Sequence, residues 1–161
     1  MEIDADDAIS WHWIIYASKA DGTDVPAATI RLVPAQKHVA AEPVEGFEEP
    51  DYAGSTAWDQ REPYVVVGRV ATVEGCRKRG FAGGLMREVL GFAGRNAGGV
   101  VRDGELGAWR GLVLVHAQRV LEGWYGGMGF VTDGGMGTWL EGGIEHVAMW
   151  KRVEVGGDGG R

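Results

Sequence analysis

Residues 68–93 read GRVATVEGCRKRGFAGGLMREVLGFA, and their order decides the fold. A β-branched run over residues 64–73 predicts a buried strand. A short loop follows with three consecutive cations, Arg77, Lys78 and Arg79. Gly80-Phe81-Ala82-Gly83-Gly84 then opens a helix. Its apolar residues Ala82, Leu85, Met86, Val89, Leu90 and Ala93 make one continuous stripe, which predicts packing against a sheet while Arg87 and Glu88 face water. Strand, basic turn and helix N-terminus together can hold a phosphate. The first helical amides lack intrahelical partners, the dipole favours an anion there, and small residues let backbone approach it.

Outward from this stretch, the pattern alternates. Residues 11–17, aromatic and β-branched, predict a strand, and residues 28–33 the strand returning after the Asp21-Gly22 turn. Residues 36–62 have no periodicity and contain Pro43 and Pro50; they read either as a flexible cover near the acceptor side or as a disordered insert. Residues 112–116 form a short apolar run that fits a central strand. Ala117, Val120, Leu121, Trp124 and Met128 have helical spacing, which predicts a helix over residues 118–128. A strand starting at Phe130, a glycine-rich link over 137–143 and a last strand over 146–151 complete the chain. Strands before and after each helix imply an α/β fold whose sheet mixes parallel and antiparallel pairs. Residues 153–161 are expected to be a disordered tail.

At 161 residues the chain has the size of one domain. Its formal net charge of -7 argues against a broad nucleic-acid surface, and it suits either cationic substrates or plain solubility. Cys76 is the only cysteine, so no disulfide framework or paired-cysteine metal site is expected. The acidic start reads as a solvated lead-in rather than a calcium loop or a signal peptide. No apolar run has membrane-spanning length, and the cytoplasm is the natural location.

The glycine turn is neither a P-loop nor a dinucleotide fingerprint, since no GK[ST] closes it and GxGxxG is absent. Alone it fits helix–sheet packing as well as ligand binding. Cys76 reads more readily as an inert small residue than as a nucleophile, and His12, His116 and His146 as dispersed strand residues. Glu74, at the end of the central strand, reads as a general base or as a solvated loop residue.

Arg77-Lys78-Arg79-Gly80-Phe81-Ala82 resembles the R/Q-x-x-G-x-G/A signature of the GNAT superfamily of acyl-CoA N-acyltransferases. Trp124-Tyr125-Gly126-Gly127-Met128-Gly129-Phe130 resembles its second signature. Asp4, Asp6, Asp7, Trp11-His12-Trp13 and the stretch from Glu141 to Met149 resemble the ElaA-like and fungal branch. The resemblance implies a GNAT-like α/β fold over residues 1–152, with a mixed central sheet, splayed strands and flanking helices. It implies acetyl transfer from acetyl-CoA to a primary amine, of a small molecule or a peptide, by direct attack and without a metal. Main chain at Val70 and Thr72 would pair with pantetheine. Lys78, Arg79, Gly80, Phe81, Ala82 and Gly83 would cradle the pyrophosphate, with Arg77 adding charge. Gln118 would contact the pantetheine arm. Tyr125 would protonate the leaving thiolate, and Glu74 is the candidate base. Relatives carry a strand and helices ahead of the Asp-rich segment, so the chain is expected to be N-terminally truncated. That leaves a homodimer filling the gap, an open acceptor cleft, or an impaired CoA-binding module as alternatives.

Overall fold

A computed structural model describes residues 4–36 and 45–156 of the chain. Seven strands form one sheet: β1 (Trp11–Ser18), β2 (Asp24–Val33), β3 (Val65–Thr72), β4 (Leu112–Gln118), β5 (Val131–Thr132), β6 (Thr138–Glu141) and β7 (Ile144–Arg152). Their order is β1-β2-β3-β4-β7-β5, with β6 also pairing β7. Only β3 and β4 run parallel; the other pairs are antiparallel. Helix α1 (Phe81–Arg95) is the crossover between them, and the short α2 (Glu122–Gly126) follows β4. The mixed sheet with flanking helices is the architecture the sequence predicts.

The two faces of the sheet are differently filled. Leu85, Met86, Val89 and Ala93 of α1 are buried against Ile30, Leu32, Val65, Val67, Val113 and Val115. Burial of each large apolar side chain contributes roughly 1.5–3 kcal/mol. Phe92 packs on Trp11 and Trp13, with ring centroids 5.6 and 5.1 Å away, and so extends the contact to β1. On the other face Trp58, Tyr64, Leu112, Leu114, Met136, Trp139, Ala148 and Trp150 form a second, aromatic core.

The described part of the long loop, residues 45–62, is pinned to this second face rather than loose. Asp133, 2% exposed, is the anchor. Its carboxylate accepts hydrogen bonds from Ser55 Oγ (2.6 Å), Thr56 Oγ1 (2.8 Å), the Thr56 and Ala57 amides, and Trp150 Nε1 (3.1 Å). Burial alone would raise its pKa, but hydrogen bonds from Ser55, Thr56 and Ala57 outweigh it and bring the value down to about 2. Backbone meets backbone here. A Cβ added at Gly54 would lie 2.3 Å from the Gly135 carbonyl oxygen, so only glycine fits. The cover or disordered insert expected over 36–62 has its residues 37–44 outside the described residues.

Three local expectations change. The helix expected over 118–128 is a 3-10 turn (Arg119–Leu121) followed by five helical residues. The β4–β7 ladder runs to Gln118↔His146 and claims the first residue, while three glycines at 123, 126 and 127 weaken the rest. The link at 137–143 contains β6 and a tight turn at Gly142–Gly143, both at positive φ, that returns the chain into β7. The tail expected from residue 153 runs along α1 as far as Gly156, whose amide donates to the Gly94 carbonyl at 3.0 Å, with Val153 and Val155 packed on the core. Residues 157–161 lie outside the described residues.

Asp133→Asn should lower stability by about 2–4 kcal/mol, since the amide cannot accept from every donor that the carboxylate satisfies. The folded-state carboxyl lies below its ordinary value of 3.8, so its contribution is present above that pH and lost as pH falls toward 2. Urea unfolding across this range checks both statements; a variant with the wild-type midpoint near neutral pH would show that Asp133 does not anchor the loop.

Candidate functional site: a slot between β3 and β4

The parallel strands share only three pairs, Val65↔Val113, Val66↔Leu114 and Val67↔Val115. Beyond Val67 and Val115 no pair joins them, although β3 continues to Thr72 and β4 to Gln118. A β-bulge in β3 accompanies the separation. Thr29 and Arg31 on β2 oppose Ala71 and Gly68, so β3 carries one extra residue. Arg69, in the bulge, has φ 54, a left-handed conformation that costs a side-chain-bearing residue about 1–2 kcal/mol.

The bulge is braced from outside the sheet. Arg69 Nη2 donates to Asp4 Oδ2 at 3.0 Å. Arg31 Nη1, nearly buried, donates to Asp4 Oδ1 and Asp7 Oδ1, each at 2.7 Å. Asp4 and Asp7 also cap their own 3-10 turn (Ala5–Ala8). Burial raises the Asp4 pKa, yet the hydrogen bond and charge of Arg31 leave it below the ordinary carboxylate range. The Asp-rich lead-in is therefore a latch on two arginines and not a solvated segment. Among the described residues no group of three or more His, Cys, Asp or Glu could hold a metal.

The bulge also sets which way the backbone faces. The Val73 amide donates to the Ala27 carbonyl at 2.9 Å, so Val73 and Ala71 face β2. Alternation along an antiparallel ladder then turns the polar backbone groups of Val70 and Thr72 toward the open side, into the slot.

At the slot's mouth stands the basic turn. Gly80 is the N-cap of α1 with φ 80, and its carbonyl accepts from the Gly84 amide at 2.9 Å. Lys78 also has positive φ, 62. Among the described residues no hydrogen-bond partner occupies the amides of Lys78, Arg79, Gly80, Phe81, Ala82 or Gly83. A Cβ at Gly80 would meet nothing within 4 Å. Arg79 lies over the Phe81 ring at 5.0 Å, and Arg77 Nε reaches the Thr72 carbonyl at 3.4 Å. Lys78 is exposed. The cations, free amides and slot-facing strand thus form one continuous edge.

Tyr125, on α2, is buried on the α1 face among Val113, Val115, Ala117 and Phe130. Burial pushes its phenol up to about 12, so it keeps its proton at neutral pH. Gln118 ends β4 with its side chain half-buried. Glu74 sits in the exposed 3-10 turn after β3, near the mouth and the cations. The structure therefore gathers the residues of 70–83 along one edge and sets Tyr125 behind the sheet.

One cluster has no clear signal in the sequence. On the face away from α1, His116 Nδ1 lies 3.1 Å from Glu141 Oε1 and His116 Nε2 3.1 Å from the Tyr52 hydroxyl. Glu141 also accepts from Trp139 Nε1 at 2.8 Å. Burial raises the Glu141 pKa, but hydrogen bonds from His116 and Trp139 bring it below the ordinary carboxylate range. Three elements supply these residues, and the two hydrogen-bond partners of His116 lie 25 and 64 positions from it, so no spacing rule joins them.

No protein-family model matches the chain, and no curated protein sequence matches it. Solved structures do. Escherichia coli ElaA aligns over 94% of this chain and 75% of its own, at 22% identity and TM-score 0.55. FeeM, an N-acyl amino acid synthase from uncultured soil microbes, aligns over 94% of this chain and 80% of its own, at 15% identity and TM-score 0.57. The chain spans 60% of the length of an acyl-CoA N-acyltransferase from Pseudomonas aeruginosa, at 26% identity over 78% of this chain and TM-score 0.46. These likenesses establish the fold: the chain has the GNAT fold.

The ladder geometry predicts uneven amide exchange along β3. Val70 and Thr72 should exchange about tenfold or more faster than Ala71 and Val73. Hydrogen exchange followed by NMR checks this; equal protection at all four amides would mean that the slot is closed.

Proposed function

We propose that this GNAT-fold chain is an N-acetyltransferase that moves acetyl from acetyl-CoA to a primary amine by direct attack in a ternary complex. One observation carries the reading: an unpaired strand edge at Val70 and Thr72 leads to a basic helix N-terminus whose amides are free. Acetyl-CoA matches that edge in chemistry. Its pantetheine amides pair as a strand does, and its phosphates need amides and cations.

Each residue then has one task. Lys78 to Gly83 bind the pyrophosphate through main chain, with Arg77 and Arg79 adding charge. Val70 and Thr72 orient pantetheine, and a slot-facing amide meets the developing oxyanion. Gln118 approaches the pantetheine arm from β4. The thioester supplies an acyl carbon that an amine attacks directly. Tyr125, protonated at neutral pH, delivers its proton to the leaving sulfur. Glu74 stands at the mouth as a candidate for the acceptor side. Direct attack requires only that both reactants be held in line.

Calorimetry with acetyl-CoA should show binding that weakens as salt rises. Gly80→Asp adds a carboxylate to the cradle where a side chain has room, and aspartate tolerates the left-handed φ. Binding should be lost in that variant, and wild-type affinity would sink the assignment. Tyr125→Phe should bind acetyl-CoA normally but release thiol about 100-fold more slowly near neutral pH. A full rate in that variant would remove Tyr125 from the chemistry, and binding with no turnover of any amine would leave a CoA-binding module.

A further inference from the structure

We infer that His116, paired with Glu141 on the sheet face opposite Tyr125, is the base that takes the acceptor's proton, and that its acceptors are cationic amines without a neighbouring carboxylate. This rests on the acyltransferase reading of the slot.

Position is the first argument. His116 is the first residue of β4 beyond the last pair shared with β3. Along β4, Val113, Val115 and Ala117 face α1 and share a core with Tyr125, whereas Leu112 and Leu114 belong to the opposite core. His116 continues the second series, its ring 5.0 Å from that of Trp139. Tyr125 and His116 thus flank the apex of the slot from opposite faces. Direct acyl transfer needs that separation, because one proton leaves nitrogen while another reaches sulfur.

Wiring is the second. Glu141 is ionised, so His116 Nδ1 carries the hydrogen that spans the 3.1 Å to Oε1. That leaves Nε2 with a lone pair, directed at the Tyr52 hydroxyl. Tyr52 also stacks on Tyr64, with ring centroids 6.5 Å apart. Its hydroxyl can donate to Nε2, or rotate away and free Nε2 for an incoming proton. An imidazolium formed there rests against the Glu141 carboxylate. The His116 side chain is 27% exposed, within reach of a bound acceptor.

Charge is the third. Around His116 stand Glu141 and Trp139 from β6 and Tyr52 from the segment before β3; Tyr64 stacks on Tyr52, and His146 from β7 brings its Nε2 to 3.8 Å from Glu141 Oε2. Glu49 is close enough to raise the Tyr52 pKa further. Two carboxylates attract an ammonium and repel a carboxylate beside the reacting amine.

The protons balance. The ammonium gives one proton to Nε2, which passes it to solvent. The freed lone pair forms the N–C bond, and the C–S bond breaks with its pair on sulfur. Tyr125 gives sulfur its proton, the second nitrogen proton goes to Nε2 and from there to solvent, and solvent restores Tyr125. Ammonium and thioester become amide, thiol and one released proton.

The test measures thiol release from acetyl-CoA with phenethylamine against phenylalanine, and putrescine against ornithine, alongside acetyl-CoA affinity by calorimetry. His116→Gln should keep that affinity and lower kcat/KM by about 10²–10⁴-fold near neutral pH. The deficit should narrow as pH rises and free amine accumulates. Glu141→Gln, a positioning variant, should lower kcat more than it changes KM and displace the acidic limb of the pH profile. The amines should outpace the amino acids in each pair. A His116→Gln enzyme with wild-type rate and pH profile overturns the assignment of the base, and faster amino acids overturn the acceptor class. Wild-type protein that binds acetyl-CoA but releases no thiol overturns the acyltransferase reading and this inference with it. Wild-type protein that does not bind acetyl-CoA overturns the slot itself. If His116→Gln loses acetyl-CoA binding, nitrogen NMR of the wild-type imidazole decides. Phenethylamine added to the CoA complex should shift Nε2, and an unmoved resonance overturns the proposal.

Discussion

The chemistry open to this fold depends on β3 leaving β4 after three shared pairs. A strand edge inside a sheet normally spends its hydrogen bonds on a neighbour. Here the bulge at Arg69 turns β3 aside, and the polar groups of Val70 and Thr72 face a gap instead. The gap is bounded by rigid elements on both sides. Behind β3 stands the β1–β2 hairpin with α1 packed across it, and behind β4 stands β7 with its ladder of seven pairs. A slot between such walls needs little reorganisation to receive a linear molecule, which lowers the entropic cost of binding one.

The two faces of the sheet divide the polar work. On the α1 face Tyr125 lies within the apolar core, and burial pushes its phenol up to about 12. On the other face, rings and carboxylates alternate, and Asp133 ties the loop that delivers Tyr52 and Trp58. Ionisable groups in dry and in polar surroundings differ because of what packs around them, not because of distance along the chain. The cations of the basic turn lie outside both, exposed to solvent.

Residues 64–95 were legible because each level agrees there. β-branched residues favour a strand, glycine favours the left-handed N-cap, and the apolar stripe of α1 fits the sheet beneath it. Periodicity misled where glycine intervenes. Val120, 86% exposed, matches a helical stripe whose middle does not pack, because the backbone around Gly123, Gly126 and Gly127 sustains only five helical residues. β6 was hidden for the opposite reason: its flanking glycines look like a linker, but Gly142 and Gly143 form the turn of a hairpin. The arginine partners of Asp4, the Tyr52 and Glu141 partners of His116 and the Ser55 and Thr56 partners of Asp133 were out of reach, since each contact spans 25 or more positions and is decided only once the sheet has formed.

The latch at the start of the described chain has an evolutionary consequence. Asp4 and Asp7 each serve as turn cap and counter-ion together, and Arg31 Nε is the one buried side-chain polar atom among the described residues without a partner. Arg31 therefore has no reserve: losing either carboxylate strands a nearly buried charge, and losing Arg31 leaves two acids crowding an exposed Arg69. Single replacements in this quartet pass through a destabilised intermediate. Descendants of this sequence should keep Asp4, Asp7, Arg31 and Arg69 as an inherited block or exchange them together, so the bulge that shapes the slot is buffered against gradual drift by four residues that do not line it.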